Sequence, residues 1–239
     1  MDNLENQLAQ LRLHGFKSSW KALCETRRVN DLTLTEGLEI LLQAEIQDRD
    51  NRKFDRLRNA AKFRYQASIE ELNFDQSRGL DKGQISALAT GEYIKKGEAI
   101  LITGATGCGK SFITSALGHH ACAQGFKVAY YNTQKLLQKT KMARLEGTIH
   151  QFLQKINKTD LLILDDFGLT HLEKQHQLDM MEIVEDRHGR SSTIIASQLP
   201  VASWFDIIGE ATIADAILDR LVHTSYRIEL KGESLRKNM

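Results

Sequence analysis

One stretch, residues 100–115, constrains what this chain of 239 residues can fold into more than any other part of it. The stretch is ILITGATGCGKSFITS, an apolar run followed by a glycine-rich turn and the start of a helix. Residues 104–111 fit the pattern G-x-x-x-x-G-K-[ST], in which the glycines let the backbone turn sharply and bring its N–H groups against phosphate oxygens. The stretch therefore predicts a strand, a phosphate-binding loop, and a helix whose positive end faces the anion.

The residue types in this loop predict how it binds a nucleotide. The predicted nucleotide-binding residues are Gly104, Ala105, Thr106, Gly107, Cys108, Gly109, Lys110 and Ser111. Lys110 is placed to reach the β- and γ-phosphates, and the Ser111 hydroxyl is a candidate Mg²⁺ ligand. Cys108 is either a small tolerated residue or, less simply, a redox sensor. The three cysteines are far apart, so the sequence predicts neither a disulfide framework nor a cysteine metal site.

A second element of the site follows an apolar run at residues 161–164, LLIL, which ends in Asp165 and Asp166. A short, fully apolar segment of this kind is typical of a buried parallel strand. An acid at the end of such a strand lies beside the phosphate loop, where Asp165 would hold Mg²⁺ and Asp166 would polarise the attacking water. The alternative is a strand that ends in an ordinary polar turn.

Two further residues are candidates for the chemistry. Gln198 follows the apolar run TIIAS and is a candidate to hold a water beside the γ-phosphate, although polar residues at strand ends are common. Arg220, in the segment LDRL, is either an arginine finger that stabilises transition-state charge or a salt-bridge partner on a helix.

The remainder of the chain suggests three segments. Residues 1–75 contain helical patterns and no strand-like run; Gly15 interrupts the first pattern, and Thr33 with Glu36 forms a capping box that opens a longer helix. Residues 76–98 are a linker and lead-in. From residue 99 strands and helices alternate, which predicts an α/β domain with a parallel sheet over residues 99–239.

The amino-acid composition and charge limit how the protein can bind nucleic acids or membranes. The chain is 41% hydrophobic and 26% charged, and its formal net charge is +1, so any surface that binds nucleic acid must be local. No stretch approaches the roughly 20 apolar residues that cross a bilayer. The N-terminus lacks a basic-then-apolar signal pattern, so a cytoplasmic location is expected.

A local basic run lies between Gln47 and Arg64, with seven basic residues against three acidic ones. One interpretation is a solvated helix face with ion pairs three and four residues apart. The other is a nucleic-acid-binding helix. The residues concerned include Arg49, Arg52, Lys53 and Arg56.

Several segments together resemble one family. GATGCGKS, LLILDDFG, TIIASQLP followed by Trp204, ILDRLVH and the tail GESLR are similar to the IstB-like ATP-binding proteins, helper ATPases of one class of bacterial transposons related to DnaC-type helicase loaders in the AAA+ group. The N-terminal segments LLQAEIQDRDNRK, AAKFRY and FD also resemble that family. The resemblance spans nearly the whole chain, and the leader and the tail make it more specific than the ATPase motifs alone.

The resemblance implies an AAA+ core with a five-stranded sheet in the order 5-1-4-3-2, preceded by a small all-helical domain. It implies ATP and Mg²⁺ as cofactors and an ATP-dependent homo-oligomer in which Arg220 acts on the ATP of a neighbouring subunit. It also implies binding of double-stranded DNA and recruitment of a cognate transposase that stimulates ATP hydrolysis. The basic N-terminal run is then a DNA, oligomer or transposase contact, and further DNA-facing candidates lie in the inserted helices: Lys135, Lys139, Lys141 and Arg144.

Three departures from the family pattern stand out. Asp166 stands where many AAA+ proteins carry Glu, which suggests slow or partner-dependent hydrolysis. Gln198 replaces the usual Asn. The chain stops soon after Arg236, so the helical lid domain of typical AAA+ proteins is expected to be missing.

A helicase loader is the alternative function; a small-molecule kinase is less favoured, because no basic glycine-rich lid follows the core.

Overall fold

The computed structural model describes residues 2–232 and 234–235, so Glu233 and Arg236 of the tail motif lie outside the described residues. The chain divides into two compact units, Met1–Arg56 and Leu57–Met239. No helix in the described part of the chain combines the length and the apolar character that crossing a membrane requires.

The first unit is helical, as the sequence predicted. It contains α1 (Asp2–Gln10), α2 (His14–Glu25), a 3₁₀ turn (Arg28–Asp31) and the greater part of α3 (Leu34–Ala61). The predicted capping box is confirmed: the Thr33 N–H donates to Glu36 Oε2 at 2.8 Å, and the Glu36 N–H donates to Thr33 Oγ1 at 3.3 Å. This reciprocal pair satisfies two backbone donors that the first turn of α3 leaves free.

The prediction that Gly15 interrupts the helical pattern is wrong. The break between α1 and α2 comes earlier, beside Arg12, whose φ is +58°. Gly15 lies inside α2, where a Cβ would stand 2.4 Å from the carbonyl oxygen of Ala44 in α3. Gly15 therefore allows α2 and α3 to pack closely. Helix propensity alone predicts a break at this residue, because glycine is a poor helix former.

The second unit contains a five-stranded parallel sheet in the order β2-β3-β4-β1-β5, which confirms the predicted order. Its strands are β1 (Ala99–Gly104), β2 (Val128–Asn132), β3 (Leu161–Phe167), β4 (Ser192–Ser197) and β5 (Ser225–Leu230). Its helices, besides the end of α3, are α4 (Lys82–Ala89), α5 (Glu92–Lys96), α6 (Lys110–Ala123), α7 (Thr133–Leu145), α8 (Ile149–Asn157), α9 (Lys174–Arg187), α10 (Trp204–Ile208) and α11 (Ala211–Val222).

The core explains why the three central strands are so apolar. β1, β3 and β4 have neighbours on both edges and helices packed against them, so their side chains are buried on both faces. One large cluster joins Leu101, Leu162 and Ile195 to helices α7 to α11, with Trp204 fully buried among them. The sequence patterns did not reveal the two five-residue helices α5 and α10, because a single turn is too short to show helical periodicity.

Candidate nucleotide site

The phosphate loop lies where the sequence places it, between the end of β1 and the start of α6. Gly107 and Gly109 have φ values of +83° and +97°, a region that favours glycine. A Cβ on Gly107 would come within 2.0 Å of Ser234 Oγ, so that position has no room for a side chain. On its outer side the loop is held by two donors: the Leu235 N–H to the Gly107 carbonyl (3.0 Å) and Arg78 Nη2 to the Cys108 carbonyl (2.7 Å).

Lys110 is folded back into the loop. Its Nζ donates to the carbonyl oxygens of Gly104 (2.6 Å) and Ala105 (2.8 Å), and only 6% of the residue is exposed. Among the residues that the structure describes, neutral groups hold this buried ammonium, and a phosphate would supply the counter-charge. Lys110 therefore fits an anion at this position.

The N-terminus of α6 faces the same place. Gly109 is its N-cap residue and supplies no side-chain cap, while its carbonyl accepts the N–H groups of Phe112 and Ile113. The N–H groups of Lys110 and Ser111 come before these bonds and point out of the helix end. Together with the helix dipole, these donors form an anion site. The residues present therefore fit a nucleotide phosphate chain. Cys108, at the centre of the loop, is fully buried with its Sγ 3.9 Å from Lys110 Nζ.

A bulge in β3 separates the two acids. Leu164 pairs with Ile195 and Phe167 pairs with Ser197, so three steps along β3 match two along β4. Asp166 absorbs the extra residue with a φ of +57°, which a short polar side chain tolerates better than most. As a result Asp165 stays buried at 1% exposure, whereas the Asp166 side chain is 20% exposed.

Four neighbours hold the acid pair. Asp165 Oδ2 accepts a hydrogen bond from the Tyr130 hydroxyl. Burial, and after it the charge of Asp165, raises the pKa of Tyr130, so the phenol stays protonated and remains a donor. The Thr133 hydroxyl donates to the Asp165 main-chain carbonyl at 2.9 Å. Asp166 Oδ2 accepts from Asn132 Nδ2 (3.0 Å) and from Arg64 Nη1 (3.1 Å).

The donor set also suits magnesium. Mg²⁺ in phosphoryl-transfer sites is usually bound by one or two protein oxygens together with substrate phosphates. Asp165, at a strand end, and Ser111, in the first turn of α6, are the chain's candidate ligands. Within residues 2–232 and 234–235 no group of three or more His, Cys, Asp or Glu side chains forms a metal site by itself.

Gln198 and Arg220 have different surroundings. Gln198 Oε1 accepts a hydrogen bond from Thr106 Oγ1 at 2.7 Å, which brings the end of β4 to the phosphate loop. Arg220 lies on α11, where its Nη2 is 2.5 Å from Glu185 Oε2 and its Nη1 donates to the Ala216 carbonyl at 2.9 Å. In the part of the chain that the structure describes, these contacts tie Arg220 to α9 and α11 and not to the phosphate loop of its own chain.

Some of the candidate DNA-binding residues in the first unit form ion pairs with acidic side chains of α3. Arg49 Nε is 2.7 Å from Glu45 Oε1, and Arg52 Nε is 2.7 Å from Asp48 Oδ2. Both pairs are four residues apart on α3, a spacing that favours ion pairs along one helix, although Glu45 itself is buried. Lys53 and Arg56 are exposed. DNA binding by these residues stays a prediction.

The other basic candidates all lie on α7, the first of the two inserted helices. Lys139 Nζ lies 5.2 Å from the centre of the Tyr131 ring, Lys141 Nζ is 3.8 Å from Glu173 Oε2, and Lys135 is exposed. Arg144 is the most firmly held, with Nη2 2.5 Å and Nε 2.8 Å from Oδ1 of the fully buried Asp179. A DNA phosphate would have to compete with that carboxylate for Arg144.

Sequence reasoning missed several residues that contact the site, including Tyr130 and Thr133 beside Asp165. Asn132 follows the apolar strand β2 and pairs in register with Asp165, so a strand-end argument would have found it. Arg78 lies in the segment interpreted as a linker. Arg64 was included only in the basic run, and no local pattern indicates that it reaches acids about 100 residues further along the chain.

The fold and the site together define the class of protein. The phosphate loop and the acid pair lie at the carboxyl edge of a five-stranded parallel sheet, and this arrangement with this strand order is that of a P-loop protein of the AAA+ group. The model of the family described as IstB-like ATP binding protein matches residues 6–239. The chain belongs to that family.

Individual relatives agree with this assignment. The chain is 41% identical over 233 residues to the putative insertion sequence ATP-binding protein y4pL of Sinorhizobium fredii (strain NBRC 101917 / NGR234), covering 98% of this chain and 95% of the relative. It is 40% identical over 196 residues to the IS1162 putative ATP-binding protein of Pseudomonas fluorescens, covering 82% and 85%. The crystal structure of the DnaC helicase loader superposes with a TM-score of 0.54 at 20% identity, covering 66% of this chain and 96% of the other, and shows the shared fold.

Proposed function

We propose that this protein is an ATPase that assembles with ATP on double-stranded DNA and recruits and activates a transposase. The observation that carries the proposal is the placement of Lys110, Asp165 and Asp166 at the carboxyl edge of one AAA+ sheet, in a chain whose relatives are insertion-sequence ATP-binding proteins. Such a site supports binding and hydrolysis of a nucleoside triphosphate, and the relatives' names support a link with transposition.

The residues divide the chemistry among themselves. Lys110 and the first-turn N–H groups of α6 bind phosphate oxygens, and Ser111 and Asp165 hold Mg²⁺, which neutralises charge on the phosphates when it is bound. Asp166 orients and polarises the attacking water, because it is the more exposed of the two acids. Gln198, bonded to Thr106 of the loop, is the candidate sensor of the γ-phosphate.

Assembly is part of the proposal because Arg220 is assigned to the ATP of a neighbouring subunit. Its guanidinium is engaged with Glu185 on α9, and only 25% of its side chain is exposed. An arginine that completes a neighbour's site would have to leave this carboxylate when subunits meet. In an isolated subunit no neighbour supplies this arginine, so hydrolysis depends on the oligomer.

DNA binding is proposed for exposed basic residues of α3 and α7. The net charge of +1 gives no general attraction for DNA, so binding depends on these local groups. Contacts of this kind go to phosphates and are tolerant of sequence. They suit a protein that offers many DNA sites to a transposase.

The test is fluorescence anisotropy of a labelled duplex with purified protein, Mg²⁺ and ATP, repeated at rising salt. We expect binding that needs nucleotide and weakens steeply with salt, as phosphate-dominated binding does. Affinity capture with a cognate transposase should retain both proteins on the DNA. Failure to bind duplex DNA at moderate salt with ATP and Mg²⁺ would contradict the proposal.

The second candidate is a helicase loader, favoured by the structural similarity to DnaC. It would use the same ATP site, but it would prefer single-stranded DNA and would capture a replicative helicase instead of a transposase. Comparing single- and double-stranded probes of equal length, and both capture partners, separates the two functions.

A further inference from the structure

We propose that Arg64 is a built-in counter-ion for the acid pair, which Mg²⁺ has to displace in order to enter the site. The proposal rests on the nucleotide site described above and adds the device that controls its metal loading. Arg64 lies outside the phosphate loop and before the ATPase motifs in the sequence. Its Nη1 nevertheless stands 3.1 Å from Asp166 Oδ2 and 3.6 Å from Asp165 Oδ2.

The backbone around Arg64 is fixed by its two neighbours. Phe63 packs against Gly118 of α6, where a Cβ would stand 2.4 Å from the ring. Phe63 also stacks on His119, with ring centres 4.2 Å apart. The Tyr65 carbonyl accepts a hydrogen bond from Nε2 of the same histidine at 3.0 Å. Both neighbours are therefore anchored on the helix that follows the phosphate loop, and Arg64 between them is held in position beside the acids.

The acids are already saturated on the atoms that Arg64 approaches. Asp165 Oδ2 accepts from Tyr130 and faces Arg64, while Asp165 Oδ1 accepts the Asp166 N–H at 3.0 Å. Asp166 Oδ2 accepts from both Arg64 and Asn132. A cation that approaches the two Oδ2 atoms from the side of Arg64 therefore has to displace this guanidinium.

Charge makes Arg64 the donor that leaves. A guanidinium and Mg²⁺ repel one another, and both are attracted to the same two carboxylates. Tyr130 and Asn132 are neutral and feel no such repulsion. The Arg64 side chain is 41% exposed, so it reaches water at little cost, as a partly exposed ion pair allows. Arg64 thus neutralises the acids when the metal is absent and opposes metal entry.

The test compares nucleotide affinity with and without Mg²⁺. For each variant a fluorescent, slowly hydrolysed ATP analogue is titrated in EDTA and in Mg²⁺, and the ratio of the two dissociation constants measures how much the metal improves binding. The nucleotide's own affinity for Mg²⁺ is common to all variants and cancels between them. We expect Arg64→Gln to raise this ratio about three- to tenfold, the range for loss of a partly exposed charge-assisted pair.

Two further variants complete the experiment. Arg64→Lys keeps the charge and is expected to stay within about twofold of the unmodified protein, as is Arg190→Gln, which removes an exposed arginine from the turn before β4. A ratio for Arg64→Gln that is unchanged or lower, an equal rise in Arg190→Gln, or a rise in Arg64→Lys as large as in Arg64→Gln would each overturn the inference. If the unmodified protein bound no nucleotide in either condition, the proposed function itself would fail.

Discussion

Arg64 Nη1 lies 3.1 Å from Asp166 Oδ2, although 102 residues separate the two in sequence. The contact depends on the bulge in β3, because the φ of +57° at Asp166 separates this acid from its buried neighbour Asp165. The two acids therefore have distinct environments. Asp165 is closed in by Tyr130, and Asp166 is the acid that water can reach.

This difference predicts the effect of Asp166→Asn. The amide keeps the size of the side chain but cannot polarise water as a carboxylate does. Nucleotide affinity should stay within about twofold, whereas phosphate release should fall by a factor of about 100 or more, the usual scale for loss of a positioned base. The variant should also remain on DNA for longer. Unchanged phosphate release would show that another group orients the water.

Lys110→Ala should weaken nucleotide binding about ten- to hundredfold, since it removes a charge-assisted contact to phosphate. Equilibrium titration with a fluorescent nucleotide measures this directly. Lys82→Ala, which removes an exposed lysine at the start of α4, is the matched control and should bind as the unmodified protein does. Equal affinity in Lys110→Ala would contradict the assignment of the loop.

Substitutions of Arg220 and of its partner Glu185 distinguish a structural role of Arg220 from a catalytic one. Arg220→Ala should leave ATP binding by a single subunit intact but should slow hydrolysis in the assembled state by about 1000-fold or more, the scale of an arginine finger. Glu185→Gln breaks the same ion pair yet frees the guanidinium, so assembled hydrolysis should be equal or faster. If both variants slowed hydrolysis alike, Arg220 would be a packing residue only.

Asp179 predicts an acid-dependent loss of stability. Burial alone would raise the pKa of this carboxyl, but hydrogen bonds from Thr140, Arg144 and Gln175 outweigh burial and hold the pKa below the ordinary value of 3.8. A lowered folded-state pKa gives stability that is present above 3.8 and is lost as the pH falls through the folded value.

The check is urea denaturation of the unmodified protein and of Asp179→Asn across the acid range. The variant should be less stable by about 1–3 kcal/mol at neutral pH, and the difference should shrink as the pH falls below 3.8. Glu182→Gln, whose partly exposed carboxylate is 3.8 Å from Arg144, should show a much smaller effect. A difference that stayed constant into strong acid would contradict this reasoning.

Two glycines of the first unit should respond in opposite directions to alanine. Gly15→Ala places a Cβ 2.4 Å from the Ala44 carbonyl oxygen and should cost about 1–3 kcal/mol of unfolding free energy. Gly37→Ala meets no atom within 4 Å on the helix α3 and should add about 0.5–1 kcal/mol. Thermal and urea unfolding of the two variants measure both changes. Equal effects would contradict the packing of α2 on α3.

The structural elements that depend on short stretches of sequence could be predicted from the sequence alone. Short apolar strands, the glycine pattern and the acids at a strand end predict the sheet and the loop, because each depends on a short run of residues. The strand order follows from the resemblance to a family with a known topology. Gly15 could not be predicted in the same way, since its role depends on a neighbouring helix about 30 residues away in sequence.

Contacts between distant segments lie outside local reasoning. The bulge that turns Asp166 requires knowledge of the register between β3 and β4, and the partner of Arg64 requires knowledge of which helix Phe63 packs on. Arg144 likewise reads as a free basic residue in sequence, although Asp179 holds it in the fold.

The central claim is that ATP gathers several copies of this protein on duplex DNA. Sedimentation velocity of a labelled duplex, with the protein, Mg²⁺ and a slowly hydrolysed ATP analogue, tests it most directly. The claim predicts rapidly sedimenting complexes that carry several copies of the chain and that disappear without nucleotide or with Lys110→Ala. Complexes with a single copy, or equal complexes with and without nucleotide, would contradict it.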